Sequence, residues 1–147
     1  MQRGFFPSLL LGVAACGGSA VAPGPVYSSY FLTSVDGKAL PAPYGGDGAD
    51  LLAGGLSFDT PSTPTGVVGY RLLVRQADQS VSSSTVQLNY SISAGELRIN
   101  LCPSLAICIA SDELVGPIVD SHSELVLTRY VAGVRGSLYR FFPSLPD

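Results

Sequence analysis

Among the 147 residues of the chain, three cysteines, one histidine and a few neighbouring carboxylates are the side chains whose types suit chemistry. Cys102 and Cys108 are separated by Pro103, Ser104, Leu105, Ala106 and Ile107. Two thiols at that spacing can close a disulfide, supply half of a metal site or act as a redox pair. A structural zinc site takes four ligands, and neither a histidine nor a third cysteine stands near these two; redox pairs are more often spaced Cys-x-x-Cys. His122 is the only histidine and sits among Asp120, Ser121 and Ser123. Residues one or two apart in a loop cannot relay a proton from nucleophile to base to orienting group, so a triad built on His122 needs distant partners. Asp120, His122 and Glu124 alternate, which would align them on one strand face as in a small metal site. A polar turn leading into the apolar run at 125–130 accounts for the same residues.

Asp112-Glu113 is an acidic pair, and paired carboxylates hydrolyse glycosides when they face each other across a substrate. Adjacent residues of an extended strand point opposite ways, so a solvated turn is the plainer reading of this pair. Asp47 and Asp50 flank a Gly-rich stretch in the manner of calcium ligands, but too few oxygen side chains accompany them for a cage; they are read as a polar surface loop. Gly45-Gly46-Asp47-Gly48 lacks the Lys and Ser/Thr of a phosphate-binding loop. Asn89-Tyr90-Ser91 fits a glycosylation triplet without further support. These residues lead to the expectation of a chain that is not an enzyme, with no cofactor, no metal and no catalytic residues.

The N-terminus carries a more specific message. Met1-Gln2-Arg3-Gly4 is followed by Phe5-Phe6-Pro7-Ser8-Leu9-Leu10-Leu11-Gly12-Val13-Ala14-Ala15 and then Cys16-Gly17-Gly18-Ser19. One positive charge, a short apolar run and small residues before a break are the parts of a secretory signal. The run is about 11 residues long, against about 20 for a helix that spans a bilayer, and it contains Pro7 and Gly12. Val13-Ala14-Ala15-Cys16 resembles the lipobox of bacterial lipoproteins, which implies diacylglycerol on the Cys16 thiol and cleavage before it. Acyl chains contribute about 0.8 kcal/mol per buried methylene, so two or three of them hold a protein on a membrane without a spanning segment. The Gly-, Ser-, Ala- and Pro-rich residues 16–29 would then form a flexible tether. Export also puts Cys102 and Cys108 in an oxidising compartment, where a disulfide worth about 2 kcal/mol is expected between them, fixing a hairpin of residues 97–101 and 107–110.

Composition and patterning describe the element that such an anchor would carry. Charged residues make up only 13% of the chain, and 17 Gly and 11 Pro are present. Few charges with many turn formers favour short strands over solvated helices. Without residues 1–15 the chain loses Arg3, leaving seven basic against eleven acidic side chains and a formal charge of −4, which disfavours nucleic acid as a partner. Apolar residues alternate at Tyr70, Leu72 and Val74; at Val86, Leu88, Tyr90 and Ile92; and at Leu97, Ile99 and Leu101. Strands are predicted at 30–35, 39–40, 51–58, 69–76, 85–93, 96–101, 107–110, 124–130 and 137–142, with loops at 41–50 and 60–66. Asp36-Gly37 and Ala94-Gly95 are predicted as tight hairpin connections. Eight or nine antiparallel strands at such spacing suit a small closed barrel, which leaves no exposed sheet edge. The aromatics Tyr30, Phe58, Tyr70, Tyr90, Tyr130, Tyr139 and Phe141 fall on most of these strands and are read as core, with a ligand pocket as the alternative.

The segment Tyr30-Phe31-Leu32-Thr33-Ser34-Val35-Asp36-Gly37-Lys38-Ala39-Leu40-Pro41-Ala42 resembles the opening of a group of lipocalin-like bacterial lipoproteins, whose first strand, written roughly Tyr-x-Leu-x-Ser-Val-Asp/Asn-Gly-x-x-Leu-Pro, leads into a meander of hairpins. Residues 125–130 and Leu138-Tyr139-Arg140-Phe141 match the closing strands of that group in pattern. The Thr/Pro-rich stretch 59–66 and the Cys102–Cys108 insert depart from it. The resemblance implies an all-β, up-and-down, eight-stranded lipocalin-like barrel over residues 30–147, following a signal peptide at 1–15 and a tether at 16–29. It hands over no catalytic residues. The expected function is a cell-envelope lipoprotein, lipid-anchored to a membrane, whose barrel binds a protein partner or serves a structural role; the alternatives are a carrier of a small apolar ligand and, behind it, a hydrolase.

Overall fold

The computed structural model describes residues 27–61, 63–103, 106–119 and 124–144. Cys16, the proposed signal and most of the tether lie outside them, as do Asp120 and His122. Ten strands follow one another: β1 (Ser29–Val35), β2 (Lys38–Ala39), β3 (Ala42–Tyr44), β4 (Ala49–Phe58), β5 (Thr65–Arg75), β6 (Val81–Ser93), β7 (Glu96–Asn100), β8 (Asp112–Pro117), β9 (Leu125–Val131) and β10 (Val134–Pro143). No helix occurs among the described residues. Every neighbour pair is antiparallel, and β4 through β10 lie side by side in chain order. β1 then pairs with β10 on one side and β4 on the other, with Tyr30 opposite both Pro143 and Leu56, so the meander closes into an eight-stranded barrel. The short β2 and β3 are additions to that wall, hydrogen-bonded to β1 and β4 respectively.

Period-two patterning explains which face turns inward. Leu51, Val68, Leu97, Ile99, Leu114, Leu127 and Phe141 are fully buried, and each is followed or preceded by an exposed or half-buried neighbour. Five of the seven singled-out aromatics, Tyr30, Phe58, Tyr90, Tyr139 and Phe141, belong to this core; Tyr70 is half-buried and Tyr130 lies on the outer face. Tight turns set the register. Asp36-Gly37, Ala94-Gly95 and Ala132-Gly133 all take positive φ at both central positions, the mirror-image turn whose twist matches that of paired strands. Asp36 adds a clasp across β10, its Oδ1 accepting from the Leu138 amide at 2.7 Å.

One predicted strand is wrong. Residues 107–110 are not a strand; Ile107 and Ile109 alternate with Cys108 and Ala110 in the right rhythm, yet both are fully exposed. The eighth strand instead begins at Asp112, at residues read as a solvated turn. Carboxylates are tolerated there because each finds a cation on a neighbouring strand: Asp112 pairs with Arg129 of β9 and Glu113 with Arg98 of β7. Two loop assignments shorten as well. β3 and the start of β4 fall within 41–50, and β5 begins at Thr65.

Antiparallel alternation gives the barrel two distinct ends. The described chain enters at the proximal end, where Tyr30, Phe58 and Tyr90 stack edge to face with centroids 6.0 and 5.1 Å apart and fill the interior. The Tyr90 hydroxyl donates to the Thr60 carbonyl at 2.6 Å, tying the 59–64 loop over that plug. The distal end carries the Asp36-Gly37 and Ala132-Gly133 turns, the 76–80 connection and the 101–111 loop.

Where β8 leaves β9 the backbones approach so closely that a Cβ on Gly116 would overlap the Val126 carbonyl oxygen and crowd Leu127. Gly116→Ala is therefore expected to cost about 2 kcal/mol, read as a lower urea midpoint, whereas Gly46→Ala, with open space around it, leaves the midpoint within about 0.5 kcal/mol of the parent.

Candidate functional site at the distal mouth

Inward positions near the distal end do not meet in a sealed core. β5 brings Tyr70 and Leu72, β6 brings Val86 and Leu88, and Tyr139 arrives from β10; between them a cavity of about 200 Å³ opens to solvent. Tyr44 of β3 borders it on one side, and Leu101 and Pro103 on the other. The inner series of β9, Leu125 and Leu127, continues to Arg129, and that of β8 runs back from Leu114 to Asp112, so parity sends both charges into the mouth.

The two charges satisfy each other. Arg129 Nε donates to Asp112 Oδ1 at 2.9 Å and Nη2 to Oδ2 at 2.6 Å, a bidentate fork. This bonding raises the guanidinium pKa well above its ordinary value, against the opposing effect of burial. Burial pushes the Tyr70 phenol far above the usual tyrosine range, with smaller contributions from Tyr139 and Tyr44. Burial likewise raises Tyr139, partly offset by the Arg129 guanidinium beside it. At neutral pH the mouth is thus an apolar recess rimmed by protonated phenols over a neutral ion pair. It can receive an apolar or aromatic group and offer hydroxyls at the rim.

Two further concavities lie on the outside of the wall. One of about 330 Å³ runs over β4 to β6 beside Gly55 and Gly69. Another, of about 490 Å³, lies between the outer face of β6 and β7 and the 101–111 loop, beside Asn89, Arg98 and Ile109.

The structure distributes the singled-out residues as follows. Cys102 and Cys108 are disulfide-bonded, with Cα atoms 6.0 Å apart, and close the tip of the 101–111 loop at the distal end. Asp112 and Glu113 point to opposite sides of β8 and are not a facing pair. Asp50 pairs with Arg75 at 2.7 Å on the wall, whereas Asp47 sits exposed in its turn. Glu124 bonds Arg140 at 2.7 Å; its proposed companions Asp120 and His122 are outside the described residues. No group of three or more His, Cys, Asp or Glu suited to a metal ion occurs among the described residues. Reasoning from sequence passed over Arg129, although an arginine on the inward parity of Leu125-Val126-Leu127-Thr128-Arg129 was the available signal. The chain matches no protein-family model, no curated protein and no solved structure.

Two measurements follow from the mouth. Asp112→Ala leaves Arg129 partly buried without its fork and is expected to lower stability by about 1 kcal/mol, a value held down by solvent that still reaches both side chains; Glu113→Ala, on the outside, changes it by less than about 0.5 kcal/mol. Urea unfolding of both variants separates the two cases. Alkaline pH gives the second. Tyr70, Tyr139 and Tyr30 titrate above the unfolded value of 10.0. The unfolded chain therefore loses these protons first, and stability is flat up to about pH 10 and falls as pH rises toward the folded-state values. Tyr70→Phe should flatten that decline, and an unaltered slope would show that Tyr70 does not contribute.

Proposed function

We propose that the chain is a cell-envelope lipoprotein, exported and lipid-anchored to a membrane through Cys16, whose barrel is a non-enzymatic binding module similar to the lipocalin-like bacterial lipoproteins. The observation that carries the reading of the barrel is its filled interior: the core is packed by side chains from all eight strands of the closed wall, and the one recess inside that wall among the described residues holds about 200 Å³. A barrel filled in this way engages partners at its surface and mouth. Ligand pockets that enclose a drug-sized molecule run from about 300 Å³ upward, which ranks the carrier of a small apolar ligand second; the phenol-rimmed mouth is what keeps it in view.

The anchor rests on Val13-Ala14-Ala15-Cys16 at the end of a short apolar run, and the Cys102–Cys108 disulfide accords with an oxidising compartment. In this reading residues 1–15 are the signal, 16–29 the tether and 30–147 the barrel. A tether that joins the barrel at its proximal end leaves the distal mouth facing away from the attached membrane.

Expression of the full chain in a bacterial host followed by intact mass measurement of the membrane fraction tests this. The expected product begins at Cys16 and carries two or three acyl chains, and Cys16→Ser shifts the protein out of the membrane fraction. A product that retains Met1 and a free thiol at position 16 overturns the assignment.

A further inference from the structure

β6 is thirteen residues long, and β5 pairs with it from Ser91 back to Val81. On its other side β7 pairs only with Tyr90 to Ser93, because the chain leaves the wall after Asn100 and turns into the disulfide loop. Residues 81–88 therefore have one strand neighbour instead of two. The hairpin at 76–80, in which the Gln76 amide donates to the Ser80 carbonyl at 2.8 Å, fixes the alternation along β6. Even-numbered residues bond β5, and the amides and carbonyls of Val81, Ser83, Thr85 and Gln87 face the gap. Natural sheet edges are usually guarded by Lys, Pro, bulges or a covering loop. Residues 81–88 contain neither charge nor proline.

The surroundings of this edge suit an incoming strand. Inside it lies the 200 Å³ recess, which Ser84, Val86 and Leu88 line from β6; about 150 Å³ already accommodates a benzene-sized group. Outside and beyond it lies the 490 Å³ groove with Arg98 at its side. Across the gap stands a disulfide-braced loop, residues 101–111, with no charged residue and with Ile107 and Ile109 fully exposed.

We infer that residues 81–88 of β6 form a docking edge for an extended peptide segment of a partner protein, which adds as a ninth strand beside β6 and sends one large apolar or aromatic side chain into the distal recess while its polar alternates face outward. Main-chain hydrogen bonds supply the general affinity in this mode and the recess supplies the choice of side chain. A second copy of this chain fits less well. Its own β6 would have only Ser82 left on that parity to offer the recess, since Ser84, Val86 and Leu88 already line their own barrel. The inference rests on the reading of the barrel as a binding module and is independent of the lipid.

The test uses the full chain in detergent micelles and two synthetic heptapeptides, Lys-Thr-Thr-Phe-Thr-Thr-Lys and the same peptide with Gly for Phe, with binding read by fluorescence anisotropy and the edge by hydrogen exchange. The Phe peptide is expected to bind at least tenfold more tightly than the Gly peptide and to slow exchange at 81–88. Thr85→Pro removes one gap-facing amide and should weaken binding at least tenfold with the unfolding midpoint retained. Ser84→Trp, a substitution at an exposed position that fills the recess, should erase the preference for Phe. Equal binding of the two peptides, binding untouched by Thr85→Pro, or no slowing at 81–88 overturns the edge even if Cys16 is acylated as proposed. Sedimentation showing a dimer that Thr85→Pro dissociates overturns the peptide partner in favour of a second copy. Failure of acylation alone leaves the peptide result standing.

Discussion

A sheet that closes on itself has a fixed interior, and every inward side chain must share that volume with those of seven other strands. In this protein the seam is made where Tyr30 and Phe31 of β1 meet Leu56 and Gly55 of β4. Once the seam is set, the parity of each strand decides what lies inside, and a slip of one residue would turn a whole strand's apolar set to water. The tight turns protect against that slip. Asp36-Gly37, Ala94-Gly95 and Ala132-Gly133 leave no spare residue between the strands they join.

The same parity creates the exception at the distal end. Proximally, three stacked aromatic rings use up the interior. Distally, the inner series of β8 and β9 terminates in Asp112 and Arg129 instead of apolar residues, beside a recess open to solvent. The opening of the wall beside β6 and the recess behind it thus have a common origin. β7 stops at Asn100, its chain goes to the disulfide loop, and the inward positions at that level face solvent.

Much of this architecture was legible beforehand because alternation is local. The runs at 70–74, 86–92 and 97–101 need no knowledge of their partners to be read as half-buried strands. The misassigned segment shows where local reading stops. Ile107 and Ile109 have the residue types and spacing of a strand, while Asp112 and Glu113 have those of a turn, and only the positions of Arg129 and Arg98 on neighbouring strands reverse the preference. Ala132-Gly133 has the residue types of Ala94-Gly95, but only Ala94-Gly95 lies between two alternating apolar runs; at 132–133 the pairing of β9 with β10 imposes the turn. The mouth is half visible in the sequence: Asp112 stands out as one of an acidic pair, while the inward position of Arg129 shows only once β8 and β9 are paired.

Strand β1 has a mechanical consequence. It is gripped along its length by β10 on one side and, over Ser29 to Phe31, by β4 on the other, and the described chain enters the barrel at its beginning. Tension applied through that entry and resisted at the distal end acts parallel to the strands, so the cross-strand bonds on both flanks are loaded together in shear and cannot be peeled apart one at a time. A pull between the two ends of the barrel therefore meets these bonds as a set.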